Sequence, residues 1–138
     1  MKNIYFFDAC ALIALLAGEK GAENVRKILQ DAIDEKIIVK INQINLLEVY
    51  YHICKVYSQD EANKVIKKIK EFPIEIVIGL KENVFNEAGR IKSKYKIPLG
   101  DSIVVAECIV NKGILITSDY NDLAKFEEME DIKINWFR

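Results

Sequence analysis

Four acids stand where an ordinary domain would prefer apolar side chains. Asp8 breaks the apolar run between Phe7 and Ala9, and Asp119 follows the apolar stretch Ile114 to Thr117. Either acid can cap a following helix, its carboxylate accepting from the free N–H groups of the first turn. For Asp8 that role alone is as good an account as a functional one. Glu48 lies in Leu46-Leu47-Glu48-Val49-Tyr50-Tyr51. On a helix it shares an apolar face with Ile44, Leu47 and Tyr51, so it should be buried or line a cavity. Asp101 repeats the pattern beside Val104, Val105 and Cys108. A first-turn acid gains about 0.3–1 kcal/mol from the helix dipole, which does not explain its place on the inward stripe. A buried carboxylate must be paired, protonated or bound to a cation. For Glu48 the competing reading is an ion pair with a distant Lys or Arg.

The chemistry these acids could do depends on whether the chain brings them together. Short apolar strands alternate with helical segments along the whole sequence. Strands are expected at Asn3 to Phe7, Lys36 to Ile41, Ile74 to Ile78, Ile114 to Thr117 and Ile132 to Ile134. Helices are expected at Ala9 to Ala17, Ala22 to Glu35, Gln43 to Tyr57, Ser58 to Phe72, Leu80 to Tyr95, Pro98 to Lys112 and Asp119 to Lys125. Ser58 and Glu61 form a capping box, Pro98 suits a first helical turn, and Gly113 fits a C-terminal cap. Gln43 to Tyr57 is apolar nearly all round and reads as a buried helix, with the sole histidine, His52, inside it. The alternation calls for an α/β fold with a central, mostly parallel sheet of about five strands covered on both faces. In such folds the strand-end acids Asp8 and Asp119 meet in a crevice at the carboxyl edge, into which the helix carrying Asp101 also opens. Three or four carboxylates in one crevice cannot all stay ionised without cations. Hard oxygen ligands suit Mg²⁺ or Mn²⁺, the usual apparatus of phosphoryl-transfer chemistry.

Composition narrows the field. The 138 residues are 51% hydrophobic and 30% charged, the profile of one folded domain spanning 1–138. The net charge of −1 excludes a strongly basic surface, so a nucleic-acid partner must be held by local patches. Two lysine groups qualify: Lys64, Lys67, Lys68 and Lys70, and Arg90, Lys92, Lys94 and Lys96, the second nearer the crevice in sequence. Tyr50, Tyr51 and Tyr57 could stack bases, though core or dimer packing explains them as well. Cys10, Cys54 and Cys108 form no C-x-x-C pair and read as free thiols in a reducing, cytoplasmic setting. The N-terminal apolar stretch is not a membrane span, because it is short and Asp8 within it would cost about 2.5–3.5 kcal/mol to insert. No GxGxxG, Walker A loop or Ser-His-Asp arrangement is present.

Four segments in this order resemble the PIN-domain nucleases, in particular the small VapC-type ribonuclease toxins. They are Phe6-Phe7-Asp8-Ala9-Cys10-Ala11-Leu12-Ile13, Asn45-Leu46-Leu47-Glu48-Val49, Pro98-Leu99-Gly100-Asp101-Ser102-Ile103-Val104-Val105-Ala106 and Leu115-Ile116-Thr117-Ser118-Asp119-Tyr120-Asn121-Asp122-Leu123. The resemblance implies a three-layer α/β/α fold and a metal-dependent endoribonuclease. Asp8, Asp101 and Asp119 would hold Mg²⁺ or Mn²⁺, and Glu48 would bind a second ion or orient the attacking water. In-line attack would leave a 5′-phosphate and a 3′-hydroxyl. It also implies an antitoxin protein partner and a homodimer, whose interface is expected on the helices between Gln43 and Phe72. Two positions depart from the family's pattern: Cys10 stands where many members have Ser or Thr, and Leu123 where Phe is common. Two other readings stay open: a catalytically silent module that binds RNA or protein, and a nuclease of RNA processing.

Overall fold

The aromatic and β-branched run at the N-terminus forms the central strand of a five-stranded parallel sheet. The computed structural model describes residues 1–138. The chain order is β1 (Asn3–Phe7), α1 (Ala9–Ala17), α2 (Ala22–Ile33), β2 (Ile37–Asn42), α3 (Gln43–Val56), α4 (Gln59–Ile69) and β3 (Glu75–Val77). It continues with α5 (Glu82–Lys94), α6 (Leu99–Asn111), β4 (Ile114–Thr117), α7 (Tyr120–Leu123), α8 (Lys125–Met129) and β5 (Lys133–Trp136). The strand order is β3-β2-β1-β4-β5. Register pairs Phe6 with Lys40 and with Leu115, so β1 is flanked by β2 and β4. The order reverses between β1 and β4, the switch point where such sheets open a crevice at their carboxyl edge.

Alternation along the strands divides the core into two layers. Phe7, Val39, Ile41 and Ile116 face the helices α1 to α4. Phe6 and Leu115 face the opposite way, toward Val104, Val105 and Cys108 of α6 and Phe126 of α8. A smaller cluster of Val84, Ala88, Ile103 and Ala106 locks α5 onto α6. The result is the expected three-layer α/β/α arrangement. No helix is long and apolar enough to cross a membrane.

The predicted caps are largely in place. Ser58 accepts from the Glu61 N–H at 3.1 Å, and Asp8 caps α1 through the Ala9 N–H at 2.9 Å. The C-terminal cap of α6 differs from expectation: Lys112, not Gly113, takes the left-handed conformation, at φ 52°. Gly113 serves a packing need instead, because a Cβ there would stand 2.7 Å from the Phe6 ring. The expected helix from Asp119 to Lys125 is two short turns, and β5 begins at Lys133 rather than Ile132. The largest departure is α3, which is not buried all round. Leu47, Tyr51, Val56 and Tyr57 are exposed, and so is His52. The sequence is apolar enough for full burial, but only one side of α3 has a partner layer within this chain.

Candidate functional site

Each acid is placed by the element it begins or ends. Asp8 follows β1 and caps α1. Asp119 follows β4 and caps α7, accepting from the Asp122 N–H at 3.3 Å. Asp101 sits in the first turn of α6, and Glu48 is in the middle of α3. The fold brings all four together, lining one cleft of about 460 Å³ with Cys10, Tyr51, His52 and Pro98. Asp8 and Asp101 are buried, at 5% and 6% exposure, while Glu48 and Asp119 are half-buried.

Asp122, not among the four acids that stand out in the sequence pattern, joins this group. Asp101, Asp119 and Asp122 each bring a side-chain oxygen within 4.8 Å of the others. The missed signal was local. A residue three places after a helix-capping Asp lies in the first turn, on the side where the cap's carboxylate sits.

Neighbouring side chains fix the outer acids. Thr117 Oγ1 donates to Asp8 Oδ2 at 2.9 Å and accepts from the Asp119 N–H at 3.0 Å, so one hydroxyl joins the ends of β1 and β4. Cys10 Sγ donates to Asp8 Oδ2 at 3.4 Å and accepts from the Ser118 N–H at 3.4 Å. The thiol therefore makes the contacts a hydroxyl would make at that position. Burial and the nearby Asp8 charge push it up to about 12, so it is held as an unreactive thiol.

Glu48 depends on two residues whose part was not legible in sequence. Asn45 Nδ2 donates to Glu48 Oε1 at 3.0 Å and to the Gly100 carbonyl at 3.0 Å, tying α3 to the first turn of α6. Gly100 is required by contact: a Cβ there would come within 2.5 Å of both Glu48 carboxylate oxygens. Only a missing side chain lets Glu48 approach the start of α6.

The site is electrostatically uncompensated. None of Asp8, Glu48, Asp101, Asp119 or Asp122 takes part in a salt bridge. Burial, then the charges of Asp8, Asp119, Glu48 and Asp122, raise Asp101 to about 8. Burial also raises Asp8, Glu48 and Asp119, with Asp119 repelling Asp8, Asp8 repelling Glu48 and Asp122 repelling Asp119. Asp101 Oδ2 is buried with no hydrogen-bond partner. Glu107 shows the contrast. It is equally buried, but its carboxylate accepts from Asn42 Nδ2 at 2.8 Å and Asn111 Nδ2 at 3.3 Å. A converging set of oxygen donors with an orphaned buried carboxylate oxygen fits a divalent cation. Asp101, Asp119 and Asp122 are placed to hold it, with Asp8 and Glu48 on the same cleft.

The lysine groups are arranged differently from expectation. Arg90 is paired with Glu87 and with Glu130 at 2.7 Å, and Lys94 pairs with Glu130 at 3.5 Å. Arg90 and Tyr95, both donating to the Glu130 carboxylate, hold it near 2. Lys92 and Lys96 are exposed. On α4, Lys64 pairs loosely with Glu61 at 3.8 Å, while Lys67, Lys68 and Lys70 are exposed.

The family model described as PIN domain matches residues 5–129. No curated protein matches the chain. Among solved structures, a toxin–antitoxin complex from Klebsiella pneumoniae contains a chain 18% identical, with a TM-score of 0.66, covering 97% of this chain and 98% of that one. VapBC2 from Rickettsia felis, bound to a DNA fragment from its promoter, gives 15% identity and a TM-score of 0.75 over 96% and 98% of the two chains. DNA-bound VapBC from Salmonella typhimurium gives 12% identity and a TM-score of 0.74, with both chains covered fully at 100%. At these identities the likeness is one of fold.

Proposed function

The chain belongs to the PIN-domain family, which is of nuclease type, and from that premise we propose that it is a Mg²⁺- or Mn²⁺-dependent endoribonuclease, the toxin of a toxin–antitoxin pair. One observation carries the reading: five acids converge on the carboxyl edge of the sheet without a single countercharge, and one buried carboxylate oxygen is left without a partner. A purely structural cluster would be satisfied internally, as Glu107 is.

Asp8, Asp101 and Asp119, the residues expected from the resemblance, would hold the ion, with Asp122 added by the geometry. When bound, the ion supplies charge stabilisation at phosphorus and a more acidic water. Glu48 acts from the α3 side. Its Oε1 is fixed by Asn45, leaving Oε2 to accept a proton from the attacking water. Asp8 is held by Thr117 and Cys10, so it is aimed without needing to move. No side chain becomes covalently modified.

The toxin reading is supported by neighbours that are toxin–antitoxin complexes matched over nearly their full chain length. The unpartnered face of α3 and a groove of about 710 Å³ between α1, α3 and α4 offer apolar surface to protein partners. Those partners are an antitoxin and a second copy of this chain. The test is cleavage of a structured RNA by the purified protein with Mg²⁺ or Mn²⁺, with chelator, and with Asp101→Asn. Cleavage that requires metal and disappears in the folded variant supports the reading. Equal trace activity in both proteins marks a contaminant, and no cleavage of any RNA favours a binding module.

A further inference from the structure

Glu48 is the one acid of the cleft carried in the middle of a helix, so its place depends on how α3 lies on α6. Apolar contact between the two helices does not fix this. Ile44 packs on the cluster of Val84, Ala88, Ile103 and Ala106, and such contact has no preferred direction. Directed bonds lie on either side of it. One runs from Asn45 to the Gly100 carbonyl at 3.0 Å. The other is buried and lies outside the cleft. Asn42 ends β2 and caps α3, its Oδ1 accepting from the Ile44 N–H at 2.9 Å. Its Nδ2 donates to Glu107 Oε2 at 2.8 Å and to the Gly79 carbonyl at 3.1 Å. Gly100 and Glu107 lie on one face of α6, two turns and about 10 Å apart along the helix. Glu107 is a costly residue for its place. It is buried and takes part in no salt bridge. An apolar side chain could fill the position without burying a carboxyl group. What a polar acceptor supplies there is the bond to Asn42.

We propose that Asn42 and Glu107 are positioning residues: their buried bond, outside the cleft, sets the lie of α3 on α6 and so holds the Glu48 carboxylate against the first turn of α6. With Asn45 alone, α3 has a single directed tie to α6 and can swing about it. The second tie, two turns along, removes that freedom. The Glu48 carboxylate occupies the space that Gly100 leaves open, so a small rotation of α3 moves it off its place. For its effect on cleavage the inference rests on the ribonuclease reading, under which a misplacement of about 1 Å costs about a hundredfold in rate.

The test uses the full chain and breaks the tie from both ends. Asn42→Ser keeps a capping oxygen for the Ile44 N–H and removes the donor to Glu107. Glu107→Leu removes the acceptor, and Glu107→Gln keeps it. The first readout is hydrogen exchange of the Asn45 side-chain amide by NMR. Asn42→Ser and Glu107→Leu should speed it at least about tenfold while the backbone amides of β1 exchange as in wild type, and Glu107→Gln should stay within about twofold. Wild type alone also tests the tie: the Asn45 amide should be no better protected than the Asn42 amide. The second readout is cleavage of a structured RNA in Mn²⁺. Asn42→Ser and Glu107→Leu should lower kcat at least about tenfold with KM within about twofold, and neither should lower it further in a Glu48→Gln background. The proposal is overturned if Asn45 stays protected through openings that expose Asn42, if its exchange is unmoved in the folded variants, or if the losses add to that of Glu48→Gln. Metal-dependent cleavage with an unmoved Asn45 amide leaves the nuclease standing and removes the positioning role. A loosened Asn45 amide in a protein that cleaves no RNA does the reverse.

Discussion

Removing the charge of Asp101 should stabilise the metal-free protein while abolishing its response to metal. In the fold this carboxyl is raised from 3.8 to about 8 by burial and by four neighbouring acids. A folded-state value above the unfolded one means the folded chain binds more protons. The contribution of Asp101 to stability is therefore undiminished below about pH 4 and falls as pH climbs toward 8, where the ionised group is fully penalised. One unit is worth about 1.4 kcal/mol, so the penalty at pH 7 has a ceiling of about 4 kcal/mol. Relaxation and water entering the open cleft reduce this to about 1–3 kcal/mol. Asp101→Asn removes the charge at nearly constant volume. In chelator at pH 8 it should raise the Tm by about 3–10 °C, using the size scaling for a chain of this length. Saturating Mn²⁺ should reverse the ranking, raising the wild-type Tm and leaving the variant where it was. Thermal denaturation at pH 5 and pH 8, with chelator and with Mn²⁺, reads all of these. If Asp101→Asn is no more stable than wild type at pH 8 in chelator, the carboxylates are not mutually repelling and the electrostatic reasoning is wrong.

Gly100→Ala should leave the protein folded but lower Mn²⁺ affinity and RNA cleavage at least about tenfold, because the new methyl meets the Glu48 carboxylate. Circular dichroism together with cleavage kinetics checks this. Cys10→Ser should retain cleavage within a few-fold, because the hydroxyl replaces the contacts to Asp8 and Ser118. In the wild type, Cys10 should resist alkylation by iodoacetamide at pH 8, since its thiol is pushed up to about 12; mass spectrometry of the labelled peptide decides it. Arg90→Ala should cost no more than about 1 kcal/mol, the worth of an exposed ion-pair network, and should leave RNA affinity unchanged. A large loss of RNA affinity would restore Arg90 as a phosphate contact.

How much of this could be read from the sequence depends on the range of the physics involved. Strand periodicity and caps are local, so β1, β4, the Ser58 cap and the alternation of strands with helices were visible. The acids were visible because ionisable groups in apolar patterns are costly and therefore conspicuous, as with Asp101 among Val104, Val105 and Cys108. What escaped was set by contacts between distant segments. Gly100 looks like a turn residue until Glu48 is seen against it, and Asn45 looks like any helical amide until it spans to α6. Arg90 appears unpaired in the sequence until Glu130, forty residues on, is seen against it. His52 and Tyr51 were expected inside α3 because composition reports hydrophobicity without saying which side has a partner. Only the folded layers show that side of α3 to be open.

The central claim is that these carboxylates form one divalent-cation site, and calorimetric titration with Mn²⁺ tests it most directly. Asp101, raised to about 8, is largely protonated at pH 7 in the metal-free fold, and binding must release that proton. Titrations in two buffers of different ionisation enthalpy should therefore show saturable binding with about one proton released per site. Asp101→Asn and Asp119→Asn should each lose that binding, by at least about tenfold in affinity. Saturable Mn²⁺ uptake that is unchanged in both variants, or no saturable uptake by the wild type at all, would contradict the account.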